Sequence, residues 1–131
     1  MKLLLDTHTF IWLDTAPEKL SPAALVACQD SGNTLYLSVV SVWEMQIKLQ
    51  LGKLKLDVSL EAMIQIQQDS NAMQILPIEL RHVLALQHLP LHHNDPFDRL
   101  LVAQAHAENA RLVTSDRALE KYAEHALLLW C

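Results

Sequence analysis

Short apolar runs alternate with helix-like segments along the chain, and this alternation restricts the possible folds more than any other feature. The runs KLLL at 2–5, TLYLS at 34–38 and RLVTSD, ending near Thr114, read as strands because they are brief and rich in β-formers. Two more, QILPI at 74–78 and ALLLW at 126–130, follow the same pattern. Continuously apolar strands separated by helices indicate a sheet covered on both faces. The sequence therefore predicts a three-layer α/β/α domain with a mainly parallel central sheet.

Capping residues mark where several helices begin and end. Ser21 followed by Pro22 predicts one helix start. Ser41 opens the segment SVWE, which fits a capping box with Glu44 three residues later, and Gly52 ends that helix. Further helices are predicted from Thr7, over 59–72, over 79–90 as far as the proline, over 96–109 and, briefly, over 117–124.

The composition excludes some classes of function. The chain has 131 residues, a length typical of one domain spanning 1–131, and 51% of them are hydrophobic, enough for a substantial core. With 2 glycines, a glycine-rich phosphate loop is not expected. A formal net charge of −5 argues against a simple electrostatic nucleic-acid binder, which would be basic. If the protein handles nucleic acid, a divalent cation or a local basic patch has to supply positive charge near the phosphates.

Cysteine use and hydropathy predict a cytoplasmic protein that does not span a membrane. Cys28 and Cys131 are far apart in sequence and no CxxC motif occurs, which favours thiols in a reducing compartment over a disulfide. The N-terminal apolar run covers only Leu3 to Leu5, which is too short for the core of a signal peptide. The sequence contains no stretch of transmembrane length.

Four acidic residues stand where the predicted strands end or the following helices begin. Asp6, Glu44 and Asp116 follow three strands, and Asp98 lies in the first turn of a helix. The carboxyl ends of parallel strands meet at one edge of a sheet, where ligands bind at the point of strand-order reversal. Four carboxylates gathered there would repel one another unless a hard cation lay between them. The pattern therefore predicts a Mg²⁺ or Mn²⁺ site.

Each acid also has a simpler structural interpretation as a helix cap. Asp6 precedes the helix at Thr7, Asp116 precedes Arg117, and Glu44 completes the proposed capping box. Asp95 stands directly before Pro96, so we assign it to capping, with support of the neighbouring ligands as a secondary role.

Four motifs give the chain a family resemblance. LLLDTHTFIW, SVVSVWEMQIKLQLGKL, DPFDRLLVAQA and LVTSD occur in the order and at roughly the spacing of PIN-domain ribonucleases, and the chain most resembles the VapC-type toxins of bacterial toxin–antitoxin systems. The resemblance implies a PIN-like fold, metal-dependent RNA endonuclease activity, and site acids that fall on Asp6, Glu44, Asp98 and Asp116. It also implies a homodimer, and a cognate antitoxin that covers the cleft and a hydrophobic groove. Many members have Asn where this chain has His8.

The resemblance assigns a role to each acid. Asp6 and Asp98 would ligate Mg²⁺ or Mn²⁺ directly, Asp116 would be a third ligand, directly or through water, and Glu44 would orient or deprotonate the attacking water or help to hold a second ion. Two alternatives compete with this nuclease. A haloacid-dehalogenase-like phosphatase requires a second Asp two residues after the first, where this chain has His8. A catalytically inert PIN-like binding module, which scaffolds a protein partner, stays open because only metal binding and activity distinguish it.

The remaining candidates have more ordinary interpretations. HLPLHH invites a zinc interpretation, but Pro90 breaks the helical geometry, and we expect surface or loop histidines. Trp12, Trp43 and Trp130 are expected in the core or an interface rather than stacked on bases. Lys48 and Lys53 are candidates for phosphate contacts, although solvated surface lysines are the more common case. The seven histidines are His8, His82, His88, His92, His93, His106 and His125.

Overall fold

Five parallel strands lie side by side in the computed structural model of the protein, which describes residues 1–91, 95–123 and 127–130. Their order across the sheet is β3-β2-β1-β4-β5, and all four neighbouring pairs run parallel. The predicted α/β class with a mainly parallel sheet is therefore confirmed. The strands are β1 Lys2–Leu5, β2 Thr34–Ser38, β3 Gln74–Leu76, β4 Arg111–Thr114 and β5 Leu127–Trp130.

Helices connect the strands and cover both faces of the sheet. The α-helices are α1 Thr7–Thr15, α2 Pro22–Gln29, α3 Val39–Gln50, α4 Leu60–Asn71, α5 Leu80–Ala85 and α6 Pro96–Ala107. Short 3₁₀ helices cover Pro17–Lys19, Leu86–His88 and Arg117–Tyr122. In the part of the chain described, no helix is both long enough and apolar enough to cross a membrane.

The strand order reverses at the centre of the sheet. From β1 the chain moves outward to β2 and then to β3, and it returns across the sheet to β4 on the other side of β1. Leu5, the last residue of β1, pairs with Leu37 on one side and Val113 on the other. A crevice therefore forms beyond the carboxyl ends of β1 and β4, where open α/β sheets bind their ligands.

Side chains of the central strand enter two separate hydrophobic clusters. Leu3 and Leu5 pack with α1 to α4 on one face, and Leu4 packs with α6 on the other. All three leucines are fully buried, because successive residues of a strand point to opposite faces. The three consecutive leucines fit a strand that has a helical layer on each side of the sheet.

The start of α3 differs from the sequence expectation. The helix begins at Val39, and Ser38 is its N-cap, with its hydroxyl accepting a hydrogen bond from the Val40 N–H at 3.0 Å. Ser41 is therefore inside the helix, and the capping box predicted with Glu44 is wrong. Gly52 does end the helix, in the left-handed conformation at φ 71° that favours glycine after a helix.

Two other segments are less regular than predicted. The helix expected over 79–90 is α-helical only for Leu80–Ala85 and then tightens into the 3₁₀ turn Leu86–His88. The short helix expected after Asp116 is a 3₁₀ helix. The predicted residues His92, His93, His125 and Cys131 lie outside the described residues, and Cys28 is buried in the core.

Candidate active site

The predicted acids share one cavity at the carboxyl edge of the sheet. Its volume is about 190 Å³, and three elements supply its walls: the start of α1, the second turn of α3 and the first turn of α6. The end of β4 completes it through the turn that follows. The lining residues are Asp6, Thr7, His8, Glu44, Lys48, Asp95, Asp98 and Asp116.

Asp6 lies where the strand order reverses. Its backbone N–H donates to the Val113 carbonyl at 3.1 Å, which extends the pairing of β1 with β4 by one bond. One carboxylate oxygen, Oδ1, accepts the Thr9 N–H at 2.8 Å and caps α1. The residue is 6% exposed. The cap therefore fixes a nearly buried carboxylate at the junction of the two central strands.

Glu44 is held by contacts to both of its carboxylate oxygens. The Thr7 hydroxyl donates to Oε1 at 2.6 Å, and Lys48 Nζ lies 2.9 Å from Oε2, one helical turn further along α3. Glu44 is 7% exposed, so this buried charge is paired and hydrogen-bonded, as buried charges must be. Sequence reasoning placed Lys48 near the site but missed Thr7, whose contact joins the first turn of α1 to α3.

The first turn of α6 brings two acids to the cavity in different roles. Asp95 Oδ1 accepts the N–H groups of Phe97 and Asp98, at 2.9 and 3.2 Å, so Asp95 is the N-cap that the sequence predicted. Asp98 is the third helical residue, where the positive end of the helix dipole favours a carboxylate. Both line the cavity, so capping does not remove Asp95 from it.

Asp116 reaches the cavity from the turn after β4. Its backbone N–H donates to the Thr114 hydroxyl at 3.0 Å, and its Oδ1 accepts the Ala118 N–H at 3.0 Å. Thr114 is fully buried, so the turn that carries the carboxylate is anchored in the core. The expected cap at Asp116 is therefore present.

Comparison with known proteins gives this arrangement a family. The model of the PIN domain family matches residues 3–125, which is nearly the whole chain. The chain belongs to the PIN domain family. Ribonuclease VapC22 of Mycobacterium tuberculosis (strain ATCC 25618 / H37Rv) is 29% identical to it over 122 residues, which cover 92% of this chain and 91% of that protein.

Solved structures agree with the fold of this PIN domain. VapBC2 from Rickettsia felis, bound to a DNA fragment from its promoter, superposes with a TM-score of 0.71 at 18% identity, covering 100% of this chain and 99% of that one. VapBC-1 from nontypeable Haemophilus influenzae superposes with a TM-score of 0.62 at 19% identity, covering 100% and 97%. The predicted resemblance to the PIN family is confirmed.

The ligand type and the volume of the acidic cavity in this PIN domain suit a hard divalent cation. The cavity offers carboxylate oxygens, the ligands that Mg²⁺ and Mn²⁺ prefer, and its 190 Å³ accommodates several waters, because about 10–15 Å³ suffices for one. Among the described residues, no three His, Cys, Asp or Glu side chains lie close enough together to hold a metal ion. Lys48 Nζ lies 2.9 Å from one carboxylate oxygen of Glu44.

One histidine lies in a buried polar network. His82 is fully buried: its Nδ1 accepts the Glu79 N–H at 3.0 Å, and its Nε2 lies 2.9 Å from Glu108 Oε1. Because Nδ1 accepts a hydrogen bond, Nε2 carries the proton, and this N–H donates a hydrogen bond to Glu108. This hydrogen bond is the main cause that lowers the pKa of the Glu108 carboxyl, with help from Arg81.

The same histidine belongs to a buried network that ends at the start of α3. Gln104 Nε2 lies 3.2 Å from His82 Nδ1 and donates to the Pro77 carbonyl at 3.2 Å. Its Oε1 accepts the hydroxyl of Ser38, the residue that caps the helix carrying Glu44. The network therefore links α5, α6 and the start of α3 through polar contacts that sequence reasoning did not detect.

Proposed function

We propose that this PIN domain is a Mg²⁺- or Mn²⁺-dependent RNA endonuclease, and that it acts as the toxin of a toxin–antitoxin pair. The observation that carries the proposal is the meeting of Asp6, Glu44, Asp98 and Asp116, from four parts of the fold, around one cavity at the strand-order reversal. The similarity to a ribonuclease and to structures of VapBC complexes supports it. The unit that acts is a single domain over residues 1–131, working in the cytoplasm.

Asp6 and Asp98 are the residues proposed to hold the metal ion directly, with Asp116 as a third ligand. The caps at Asp6 and Asp116 each use Oδ1, so the helix starts fix where these carboxylates stand before any ion binds. When bound, the ion lowers the pKa of a coordinated water and offsets negative charge on the scissile phosphate. This local positive charge answers the objection raised by the net charge of −5.

Glu44 is proposed to orient the attacking water and take its proton. Each carboxylate oxygen has two lone-pair positions, so Oε1 keeps one acceptor position while it binds the Thr7 hydroxyl. The water oxygen bonds to phosphorus as the bond from phosphorus to the 3′ oxygen breaks, and the leaving 3′ oxygen takes up a proton from solvent. The products are a 5′-phosphate and a 3′-hydroxyl, and this route does not require the RNA 2′-hydroxyl.

A cognate antitoxin and a second copy of the chain are the proposed protein partners. An acidic cavity is complementary to an Arg or Lys side chain from an inhibitor. Exposed apolar side chains on and before α5 form a surface that a homodimer could bury. Light scattering of the purified chain measures the oligomeric state. These side chains are Ile78, Leu80, Val83 and Leu84.

The test is RNA cleavage by purified variants in Mg²⁺ or Mn²⁺, with the RNA ends sequenced. Asp6→Asn and Asp98→Asn should each lose at least about 100-fold in rate, because charge stabilisation at a phosphate contributes that much. Asp30→Asn, an exposed acid remote from the cavity, is the matched control. Full activity in a folded Asp98→Asn protein would remove the proposed metal site. Absence of metal binding and cleavage in the wild-type chain would favour an inert scaffold.

A further inference from the structure

Trp43 is more than half exposed to solvent. It is 56% exposed, and it is the one aromatic among the exposed large apolar side chains of the residues described. The expectation of a core or interface tryptophan is therefore not met within the chain itself. A large apolar ring in water is the kind of surface that binding usually covers.

Trp43 and its contact Phe97 lie on two different helices, each one residue from an acid that lines the cavity. Trp43 directly precedes Glu44 on α3, and its contact Phe97 directly precedes Asp98 on α6. Consecutive Cα atoms are about 3.8 Å apart, so both aromatic residues are anchored next to acids that line the cavity. The two rings are thus each attached one residue from an acid of the cavity, and neither ring is among the residues that line it.

Phe97 holds the indole in a defined orientation. The two rings meet edge to face, with centroids 5.1 Å apart and planes inclined by 75°. Phe97 is itself fixed at the start of α6, since its N–H donates to Asp95. A ring that is ordered before binding loses less conformational entropy when a ligand covers it.

The charges around the cavity leave little attraction for phosphates. Lys48, which lines the cavity, is paired with Glu44 at 2.9 Å. The Arg117 guanidinium lies over the Trp130 ring at 4.0 Å, and Arg99 donates to the Leu89 carbonyl. Five carboxylates line the cavity, and Lys48 is the one Lys or Arg among its lining residues, so contacts to the bases would add affinity that protein–phosphate contacts do not supply there.

We propose that Trp43, supported by Phe97, is a base-stacking subsite that holds one unpaired nucleobase of the RNA beside the acidic cavity. The inference rests on the proposed nuclease function and deepens it, because it names the residues that would contact a base of the RNA substrate. Stacking is independent of phosphate charge and tolerates any base, since every base has a π face. An unpaired base offers that face, whereas a base inside a duplex has both faces covered.

The test measures binding and cleavage with defined probes. Dissociation constants are measured for the Asp98→Asn protein with Mg²⁺ present. The probes are single-stranded oligoadenylate, a strand of the same length made with abasic residues, and a duplex RNA. Trp43→Ala in that background should lose about tenfold or more in affinity for oligoadenylate, and Trp43→Phe should retain most of it. The slope of log K against log salt should be unchanged, because the lost contact is not ionic.

The abasic probe separates stacking from a fold defect. It should bind the Trp43→Ala protein and its parent equally, whereas a general structural loss would weaken both probes. Leu51→Ala, an exposed apolar residue at the end of the same helix, is the matched control and should bind like its parent. Indole fluorescence should be quenched by oligoadenylate in the parent and not in the Trp43→Phe protein.

Several results would overturn the inference. Equal oligoadenylate affinity in the Trp43→Ala protein and its parent would do so, as would an equal loss with the abasic probe. A Trp43→Ala protein that dissociates from a dimer yet cleaves RNA like wild type would assign the ring to a second copy. If the wild-type chain cleaves no RNA at all, the proposed function fails. If the wild-type chain cleaves RNA and Trp43→Ala cleaves it equally well, only the stacking inference fails.

Discussion

Three carboxylates in this PIN domain both cap a helix and line the acidic cavity. Asp6, Asp95 and Asp116 each accept a backbone N–H at the start of a helix, and each also lines the cavity. Each cap uses one carboxylate oxygen, Oδ1, and the hydrogen bond fixes the orientation of the side chain at the helix start. At the scale of the residue, the capping and the metal-binding interpretations of the sequence are therefore compatible.

Asp95 is the residue at which the two purposes can be separated. Asp95→Asn keeps a cap acceptor and loses only the charge, so it should be as stable and active as wild type. Asp95→Ala should lose on the order of 1 kcal/mol of unfolding free energy and still cleave RNA where it is folded. Melting curves and cleavage assays on both variants, beside Asp98→Asn, make the comparison. A folded but inactive Asp95→Asn protein would move Asp95 into the metal site.

Thr7 offers a test of how Glu44 is oriented. Thr7→Val removes the hydroxyl that donates to Glu44 at 2.6 Å while keeping a similar shape. A buried carboxylate oxygen then loses a partner, which should cost roughly 1–3 kcal/mol of stability. We expect cleavage to slow about tenfold at a temperature where the variant is folded. Thr15→Val, at an exposed threonine on the same helix, is the control, and unchanged kcat in Thr7→Val would contradict the positioning role.

The sequence could predict which acids meet at the carboxyl edge of the sheet but not how they are held. Asp6, Asp98 and Asp116 follow strand ends or begin helices, and those signals are local. Glu44 was associated with Ser41 because SVWE fits a capping box, yet Ser38 caps the helix. Ser38 donates to Gln104, a residue 66 positions away, and local patterns do not contain such partners.

At the scale of elements, polar contacts fix α3 against the rest of the fold. Ser38 caps α3 and bonds to Gln104 on α6, and Gln104 contacts His82 on α5. Every side chain in this path is fully buried, so the whole network has to be satisfied together. The helix that carries Glu44 is therefore coupled to α6, which carries Asp98.

Acid should weaken this network through Glu108. Because its folded pKa lies below the usual 4.5, the stabilisation is complete above about pH 4.5 and is lost as the pH falls through the lower folded value. Glu108→Gln should cost roughly 1 kcal/mol or less at pH 7, since the pair with Arg81 is partly screened. Denaturation curves from pH 7 to 3 should converge for the two proteins in acid. Parallel curves would show that Glu108 does not contribute.

Elements with strong local signals were predicted well, and weak ones were not. The strands around Leu4, Leu37 and Val113 are short runs rich in apolar residues and β-formers, so the sequence predicts them clearly. The 3₁₀ helix Arg117–Tyr122 has a cap and helical spacing but only six residues, too few for the sequence to distinguish it from an α-helix. The strand order had to come from the structure, because partners across a sheet leave no local signal.

At the scale of the molecule, an acidic chain concentrates several of its carboxylates at one crevice. The net charge of −5 and the parallel sheet were both evident in the sequence, and together they led to the metal hypothesis. The topology places the ends of β1 and β4 side by side, so acids that are 110 positions apart meet. Self-repulsion at that point should make the fold respond to divalent cations.

Metal should raise the melting temperature of the wild-type chain. An ion that binds only the folded state stabilises it by mass action, by about 2.7 kcal/mol at 100 times its Kd. Mg²⁺ or Mn²⁺ at millimolar concentration should therefore shift the transition upward, and a chelator should reverse the shift. The Asp6→Asn/Asp98→Asn double variant should melt at one temperature with or without metal. Equal responses of the two proteins would argue against a metal site at these acids.

The caps at the acidic cavity also bear on how such a gene changes over generations. Asn caps a helix about as well as Asp, and a single-base transition converts an Asp codon into an Asn codon. A lineage can therefore silence the proposed nuclease at Asp6 in one mutational step and still produce a folded chain. Survivors selected for loss of the proposed toxicity should include such intact proteins, which keep the surface proposed to bind the antitoxin. Loss of the proposed activity and loss of the fold can therefore arise through separate mutations in this gene.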